Sequence, residues 1–555
     1  MEAKAANFVR RHCETILFLA IYALLSLAWN VAGGSFRVWP DLWQLLPWPS
    51  LLDDLGRSLL DLHAQPPLLN LLFGLVLKTA VGMGTNVETL LQPVYFAIGA
   101  VMVAAIGELA KRIVPRPGVR YAVLLLIILN PYFYAVHHYL FYTAWELFFV
   151  SLIVFFSLRY LEQPTAPRLT AVLVPAVLLV YTRSLFHLLW FVLFLFLLLA
   201  LGLHSTSGWW KSRVIVSAVA LLLIAAWPLK NLARFGFFGL SSWSGLSLAR
   251  GLPTGEPLLP SGYPKRLALF ARTNSLPIDL SAVAAAQSLV PPEFQGHPTL
   301  SELAKPDGSP NWNHYSIIPI SRDLGIAARE HLLREPSLLI FRAIDFYLNG
   351  YSIYEARWPY ELGFAPEMTT GHLWANIYEA IVFQKFRPYD PNRTTISTGF
   401  AILLPVILLA VAIVLWLRRP WGTVQRTIVV MLFIVLWVLG LVLFVDGPEG
   451  NRVRFCTEPY LFLMFGWLVG SCWDRIRSPG EGRFLRSRCS VSQTLRCLLS
   501  NVIATRTAIP IHNPTTINSG AGLQRLRSKR NSPMLKEFHL TCEECGGKTR
   551  YIHPS

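Results

Sequence analysis

The chain has 555 residues, 54% of them hydrophobic and only 15% charged, with a formal net charge of +17. That balance excludes a water-soluble globular protein, which would leave more apolar surface against solvent than water tolerates. The seven cysteines all lie outside the longest polar segment, residues 231–399, which excludes a disulfide-stapled ectodomain.

Ten apolar stretches approach the roughly 17 to 25 residues that cross a bilayer. The first, Ile16 to Ala32, follows Lys4, Arg10 and Arg11 and is trailed by no small-residue cleavage site, so it reads as a retained anchor. An acidic loop, residues 33–65, comes next and contains Asp41, Asp53, Asp54, Asp61 and His63. Pro66 to Val81 is short, opens with Pro66-Pro67 and contains Lys78, and is expected to span only in part. The remaining stretches are Leu90 to Ala110, Tyr121 to Val136, Thr143 to Leu161, Leu169 to Tyr181, Leu185 to Leu203, Val214 to Leu229, Phe400 to Leu417, Ile428 to Val445 and Pro459 to Cys472. The fold class expected is therefore an all-α polytopic membrane protein with about ten transmembrane helices plus one partial span.

Lys and Arg near span ends are retained on the cytoplasmic face. With Pro66 to Val81 as a partial span, the clusters at Lys111 to Arg120, Arg159 and Arg168, Lys211 and Arg213, Arg418 to Arg426, and Arg475 and Arg477 all fall on that face. Both termini are then cytoplasmic. The opposite face collects the acidic first loop, a corner with His137, His138, Tyr139 and Tyr142 leading to Glu146, the turn at Arg183, and the last loop from Asp446 to Arg454. Carboxylates, imidazoles and guanidiniums converge on one side.

The chain divides into a transmembrane region (1–230), an outward module (231–399), C-terminal transmembrane helices (400–473) and a tail (474–555). The module is rich in Pro and Gly up to about Pro319. Helical periodicity follows over Ser321 to Arg334, with Ser321 or Asp323 as cap, and over Ser337 to Tyr347, with a break at Pro336. The tail has fourteen Lys/Arg against five Asp/Glu and no sustained apolar period. It reads as a disordered basic segment lying against anionic lipid. Its Cys542-x-x-Cys545 pair, with His539 and His553 nearby, is half of a zinc-site pattern.

The run Leu62-His63-Ala64-Gln65-Pro66-Pro67-Leu68-Leu69 after an acidic first outward loop resembles the His-Pro-Pro-Leu element of GT-C membrane glycosyltransferases. That class contains the dolichyl-phosphate-mannose protein mannosyltransferases and the lipid A aminoarabinose transferases. Asn130-Pro131 leading to Tyr142-Thr143-Ala144-Trp145-Glu146 resembles its second outward loop, and Glu449-Gly450-Asn451-Arg452 to Glu458-Pro459 its last. The similarity spans about Glu14 to Trp473. It departs in the first loop, where Asp41, Asp53 and Asp54 compete for the place of one acidic residue.

The resemblance implies inverting transfer of a sugar from a polyprenyl-phosphate donor at the outer membrane face. A carboxylate would take the acceptor hydroxyl proton, with Asp53 first and Asp54 second; Glu146 is a further catalytic candidate. Arg183, Arg452 and Arg454 would hold the leaving phosphate, since guanidinium binds phosphate bidentately and stays charged. His63, Gln65, His137, His138 and Glu449 would line the substrate site. No cofactor is required by this chemistry, although a divalent ion held by Asp53, Glu146 and the histidines His63, His137 or His138 would assist it. The implied partners are membrane lipid, the lipid-linked sugar and a glycan, lipid or protein acceptor, with no nucleic acid. Two other classes are alternatives: a secondary transporter, which would place its ionisable groups near the midplane between repeats with broken helices whereas here they cluster at one rim, and a non-catalytic scaffold docking through the module, which explains the topology but not the convergent charges.

Overall fold

The computed structural model describes residues 2–39, 42, 44–202, 210–249, 287–347, 373–375, 377–378, 398–446, 450–477, 536–541 and 548–553. Each of the ten apolar stretches is mostly helical over its described residues, helix being the one backbone arrangement that satisfies every N–H and C=O within a single segment. In chain order the helices are α1 (Glu2–Val31), α2 (Trp48–Asp53), α3 (Leu55–Asp61), α4 (Leu68–Met83), α5 (Val87–Ile113), α6 (Pro117–Ile128), α7 (Pro131–His137), α8 (Tyr142–Glu162), α9 (Ala166–Thr182), α10 (Leu188–Gly202) and α11 (Trp210–Phe235). The module supplies α12 (Ser244–Ala249), α13 (Pro298–Ser301), α14 (Ile317–Arg334) and α15 (Ser337–Phe346). α16 (Thr398–Leu417), α17 (Thr423–Leu441), α18 (Gly450–Phe455) and α19 (Glu458–Arg477) complete the helical unit.

Among the described residues, five helical segments are long and apolar enough to cross a membrane: His12–Val31, Val87–Ile113, Tyr142–Glu162, Trp210–Phe235 and Thr423–Phe444. The chain is on that ground a multi-pass membrane protein. The number is smaller than the ten expected, because α9, α10 and the described part of α16, Leu404–Leu417, are apolar but shorter, α6 and α7 form a bent pair, and α19 carries Glu458, Asp474, Arg475 and Arg477 at its ends. α4 has 16 residues and rises roughly 24 Å at 1.5 Å per residue, less than the ~30 Å hydrocarbon layer. It stops at Gly84, whose φ of 62° is left-handed and whose N–H reaches the Ala80 and Val81 carbonyls.

The stretch Tyr121 to Val136, expected as one helix, is two. α6 and α7 are bent by 46° across a short break. Pro131 has no N–H to continue the ladder, and it biases the preceding residue away from the helical region. Asn130 is extended, with φ −68° and ψ 113°, and its side chain accepts from the Tyr132 N–H to start α7.

α8 lies at the centre of the bundle, against α5, α9 and α17. Its Val150, Ile153 and Val154 are buried with Leu179 and Val180 of α9 and Ile434 and Val438 of α17. The module has its own core of Leu246, Trp312, Ile320, Leu324 and Ala328. There α12 crosses α14 at Gly245 and Gly325, so closely that a methyl group on Gly245 would overlap the Ser321 carbonyl. α14 begins at Ile317, earlier than the expected caps Ser321 and Asp323, because Pro319 falls in the first turn, where a missing N–H costs nothing. Ser321 instead serves the neighbouring helix: its Oγ accepts from the N–H groups of Gly245 at 3.1 Å and Leu246 at 3.2 Å.

Residues 478–555 form a separate unit. Its described residues are 536–541 and 548–553. They pair as an antiparallel hairpin, β1 (Lys536–Thr541) and β2 (Lys548–His553), with Lys536 opposite His553 and Thr541 opposite Lys548. Phe538, Thr541, Thr549, Tyr551 and Ile552 are residue types that favour extended backbone. Cys542 and Cys545 lie outside the described residues.

Gly245→Ala is expected to lower the stability of the module by about 1–3 kcal/mol through overpacking. Gly82→Ala meets open space in α4 and should leave the melting temperature unchanged or raise it. Thermal unfolding of both variants checks this, and equal melting temperatures would contradict the close crossing.

Candidate functional site

The loop after α1, the corner before α8 and the module are joined to one another by backbone and side-chain hydrogen bonds. Arg37, after α1, donates its N–H to the His138 carbonyl at 2.9 Å and accepts from the Leu140 N–H at 3.0 Å, which ties the first loop to the corner before α8. Lys305 of the module donates to the Leu42 carbonyl at 2.7 Å. Asn313 makes the densest link: its Oδ1 accepts from the N–H groups of His63 at 2.9 Å and Ala64 at 3.0 Å, and its Nδ2 donates to the Asp61 carbonyl at 3.0 Å. The Ser242 N–H donates to the His63 carbonyl at 2.9 Å. A segment of four residues, 61–64, is thereby held almost entirely by residues about 180 to 250 positions away.

Asp61 is the buried carboxylate among the described residues of the first loop, 2% exposed. It accepts from the Arg234 guanidinium and, at 3.1 Å, from His297 Nδ1. Arg57 Nη2 donates to His297 Nε2 at 2.7 Å. These two contacts fix one tautomer: Nδ1 carries the proton and Nε2 accepts. Lys230, one helical turn before Arg234, donates to the Leu60 carbonyl at 3.2 Å and to the Leu62 carbonyl.

Deeper in the bundle are two further ion pairs. Arg183, the residue that ends α9, donates through Nη1 to both carboxylate oxygens of Glu146 at 2.8 and 2.9 Å. The two side chains are 6% and 0% exposed, and the guanidinium lies 4.8 Å from the centre of the Tyr142 ring. Arg454 Nε donates to Glu458 Oε1 at 2.9 Å, and Asn130 Nδ2 reaches Glu458 Oε2 at 3.3 Å. The bend between α6 and α7 therefore places the Asn130 side chain on the second pair.

Of the residues singled out from the sequence, Glu146 and Arg183 are brought together, and Arg454 is joined to Glu458. Asp53 is exposed at the end of α2. Asp54 caps α3, its Oδ1 accepting from the Arg57 N–H at 2.9 Å. His63 is fully buried and its Nδ1 bonds Ser242 Oγ at 2.8 Å, while Gln65 is half-buried. His137 and His138 are buried and turn their Nδ1 atoms to the Phe133 and Tyr134 carbonyls, at 2.5 and 2.7 Å. Arg452 lies in α18, but its side chain, like Asp41 and Glu449, is outside the described residues. Among the described residues no group of three or more His, Cys, Asp or Glu could hold a metal ion, so Asp53, Glu146 and the histidines do not gather into the ligand set considered. Asp61, His297, Asn313, Arg234 and Glu458 were not singled out. Asp61 stood in the acidic loop with the others, and nothing local marks it as the one that becomes buried.

No known family model matches this chain, and no curated protein matches it.

Burial pushes the His63 imidazole down to about 3, helped by the nearby Lys230 charge and opposed by the Asn313 backbone as a hydrogen-bond acceptor. Burial likewise lowers His314 to about 4. Both stay neutral when folded, whereas the unfolded chain takes up protons near pH 6.5. Their contribution is full above that value and is lost as pH falls from about 6.5 towards 4. At pH 5 each group costs about 2 kcal/mol. His314→Gln should therefore lose less thermal stability than the unmodified chain between pH 7.5 and pH 5, and equal losses would contradict the assignment.

Proposed function

We propose that the chain is a membrane glycosyltransferase that moves a sugar from a polyprenyl-phosphate donor to an acceptor on the outer or lumenal face, with inversion. The observation that carries this reading is the joining of the first outward loop, the corner before α8 and the module through Arg37, Lys305 and Asn313. Catalytic loops far apart in sequence must be fixed to one another before acceptor and donor can be aligned. In this reading all ten apolar helices cross the membrane, α4 enters it in part, both termini are cytoplasmic, and the arrangement is GT-C-like. A lipid-linked donor keeps its tail in the bilayer and its phosphate at the interface, where these loops would lie.

Asp53 is the preferred base. It is exposed, while Asp54 spends one oxygen on the cap of α3. Glu146 acts by holding Arg183, not by meeting substrate, because both are buried. Arg452 is the residue this reading assigns to the donor phosphate, while Arg454, buried against Glu458, would hold the last outward turn in place. Asp53→Asn keeps the size of the side chain and removes the base, so transfer by purified protein should fall about 100-fold or more with expression unchanged. Arg452→Lys keeps the charge but loses the fork and should raise the donor KM more than it lowers kcat. Full transfer by Asp53→Asn would move the base to Asp54 or Asp61.

The topology has its own test. In a background without reactive cysteines, single cysteines at Ser50 and Gly308 should react with an impermeant thiol reagent in sealed cells, and those at Pro117 and Gly422 should not. Labelling at Pro117 from outside would mean that α4 crosses fully.

A second reading, secondary transport, is favoured by the bend between α6 and α7 beside the buried Arg454–Glu458 pair, since broken helices next to ionisable groups form ion and substrate sites in transporters. Solute flux into liposomes, with no sugar transfer from any polyprenyl-phosphate donor, would establish that reading in place of the transferase.

A further inference from the structure

We infer that the cluster around Asp61 is a binding site for a phosphate-type oxyanion. The inference rests on charge and geometry and does not depend on the transferase reading. Arg57 and Arg234 bring two guanidinium charges to the surroundings of a single buried carboxylate, and the Lys230 amine is held beside them on the Leu60 and Leu62 carbonyls. The one imidazole among them adds none: His297 donates through Nδ1 to Asp61 and accepts at Nε2 from Arg57, which is the hydrogen-bonding pattern of the neutral ring. Lys230 and Arg234 lie four residues apart on one helix, and like charges at that spacing repel. An arriving anion relieves that repulsion.

The donors point the same way. Arg234 Nε is buried and has no hydrogen-bond partner, although its guanidinium is fixed by Asp61 and lies 5.6 Å from the centre of the Phe294 ring. A buried N–H without an acceptor is costly, and an anion in the cluster would supply one. Arg57 is exposed and its contact with His297 uses one of five guanidinium N–H donors, so the others face solvent. The frame is rigid, because Asn313 clamps the Asp61 carbonyl and the N–H groups of His63 and Ala64. Two guanidiniums and an ammonium, partly open to water on one side, match the tetrahedral oxygens of a phosphomonoester better than a planar carboxylate. That group comes either from a lipid headgroup or from a soluble phosphate.

Two measurements on the full-length protein separate these sources. Equilibrium binding of radiolabelled inorganic phosphate is followed in phosphatidylcholine nanodiscs at fixed ionic strength. In parallel, phosphatidic acid retained per protein is quantified by mass spectrometry after purification from mixed phosphatidic acid and phosphatidylcholine. Saturable phosphate binding identifies a soluble ligand, and selective retention of phosphatidic acid identifies a headgroup. In either case Arg57→Gln and Arg234→Gln should weaken binding at least about tenfold, the loss of one charge-assisted contact. Arg57 is exposed, so its variant does not threaten folding. Neither ligand binding, or binding undiminished in both variants, would overturn the inference.

Discussion

An ionised side chain inside an apolar helical bundle must have a partner of opposite charge, and much of this fold follows from that requirement. Leaving one member of a buried pair unmatched costs roughly 3–5 kcal/mol, more than most single contacts contribute. Glu146 in α8 and Arg183 at the end of α9 satisfy each other at 2.8 Å. α8 and α9, already packed against each other, are thereby pinned in register where these groups meet. Arg454 and Glu458 do the same for the turn between α18 and α19, and the Asn130 side chain adds its donor from the bend between α6 and α7.

The cluster around Asp61 obeys the same chemistry under looser conditions. Arg57 is open to water and Arg234 is 31% exposed, so surplus positive charge there is tolerated by solvent, whereas it would be prohibitive beside Glu146. The division is a physical one. Fully paired charges in the interior set the scaffold, and incompletely paired charges at the rim are available for a ligand. Asn313 stands between the two regimes: it carries no charge, yet by saturating the backbone groups of 61–64 it fixes where the rim charges sit.

Helix existence was legible because hydropathy over some twenty residues is a strong, local signal, and every apolar stretch is mostly helical over its described residues. The bend was not, because Tyr121 to Val136 is continuously apolar and only Pro131 hints at it. Ser321 shows a different limit: a serine at a plausible start of a helix caps a neighbouring helix, since capping depends on which backbone N–H groups arrive nearby. The candidate site was legible as chemistry and not as pairing. Glu146 and Arg183 were both recognisable, but as a catalyst and a phosphate ligand, and only the approach of α8 to the end of α9 reveals that each satisfies the other. Among the described aspartates of the first loop, Asp53, Asp54 and Asp61, the last is the buried one because Asn313, His297 and Arg234 close over it, and none of the three is near it in sequence.

The central claim, that buried charge pairing sets the arrangement of the bundle, is tested most directly by a double-mutant cycle on Glu146 and Arg183. Unfolding free energies would be measured for Glu146→Gln, Arg183→Gln and the double variant in one detergent. Each single change should be strongly destabilising, and the double variant should be about 2 kcal/mol or more better than the sum of the two losses. Losses that add to within about 0.5 kcal/mol would mean that the two groups do not depend on each other, and the account would be wrong.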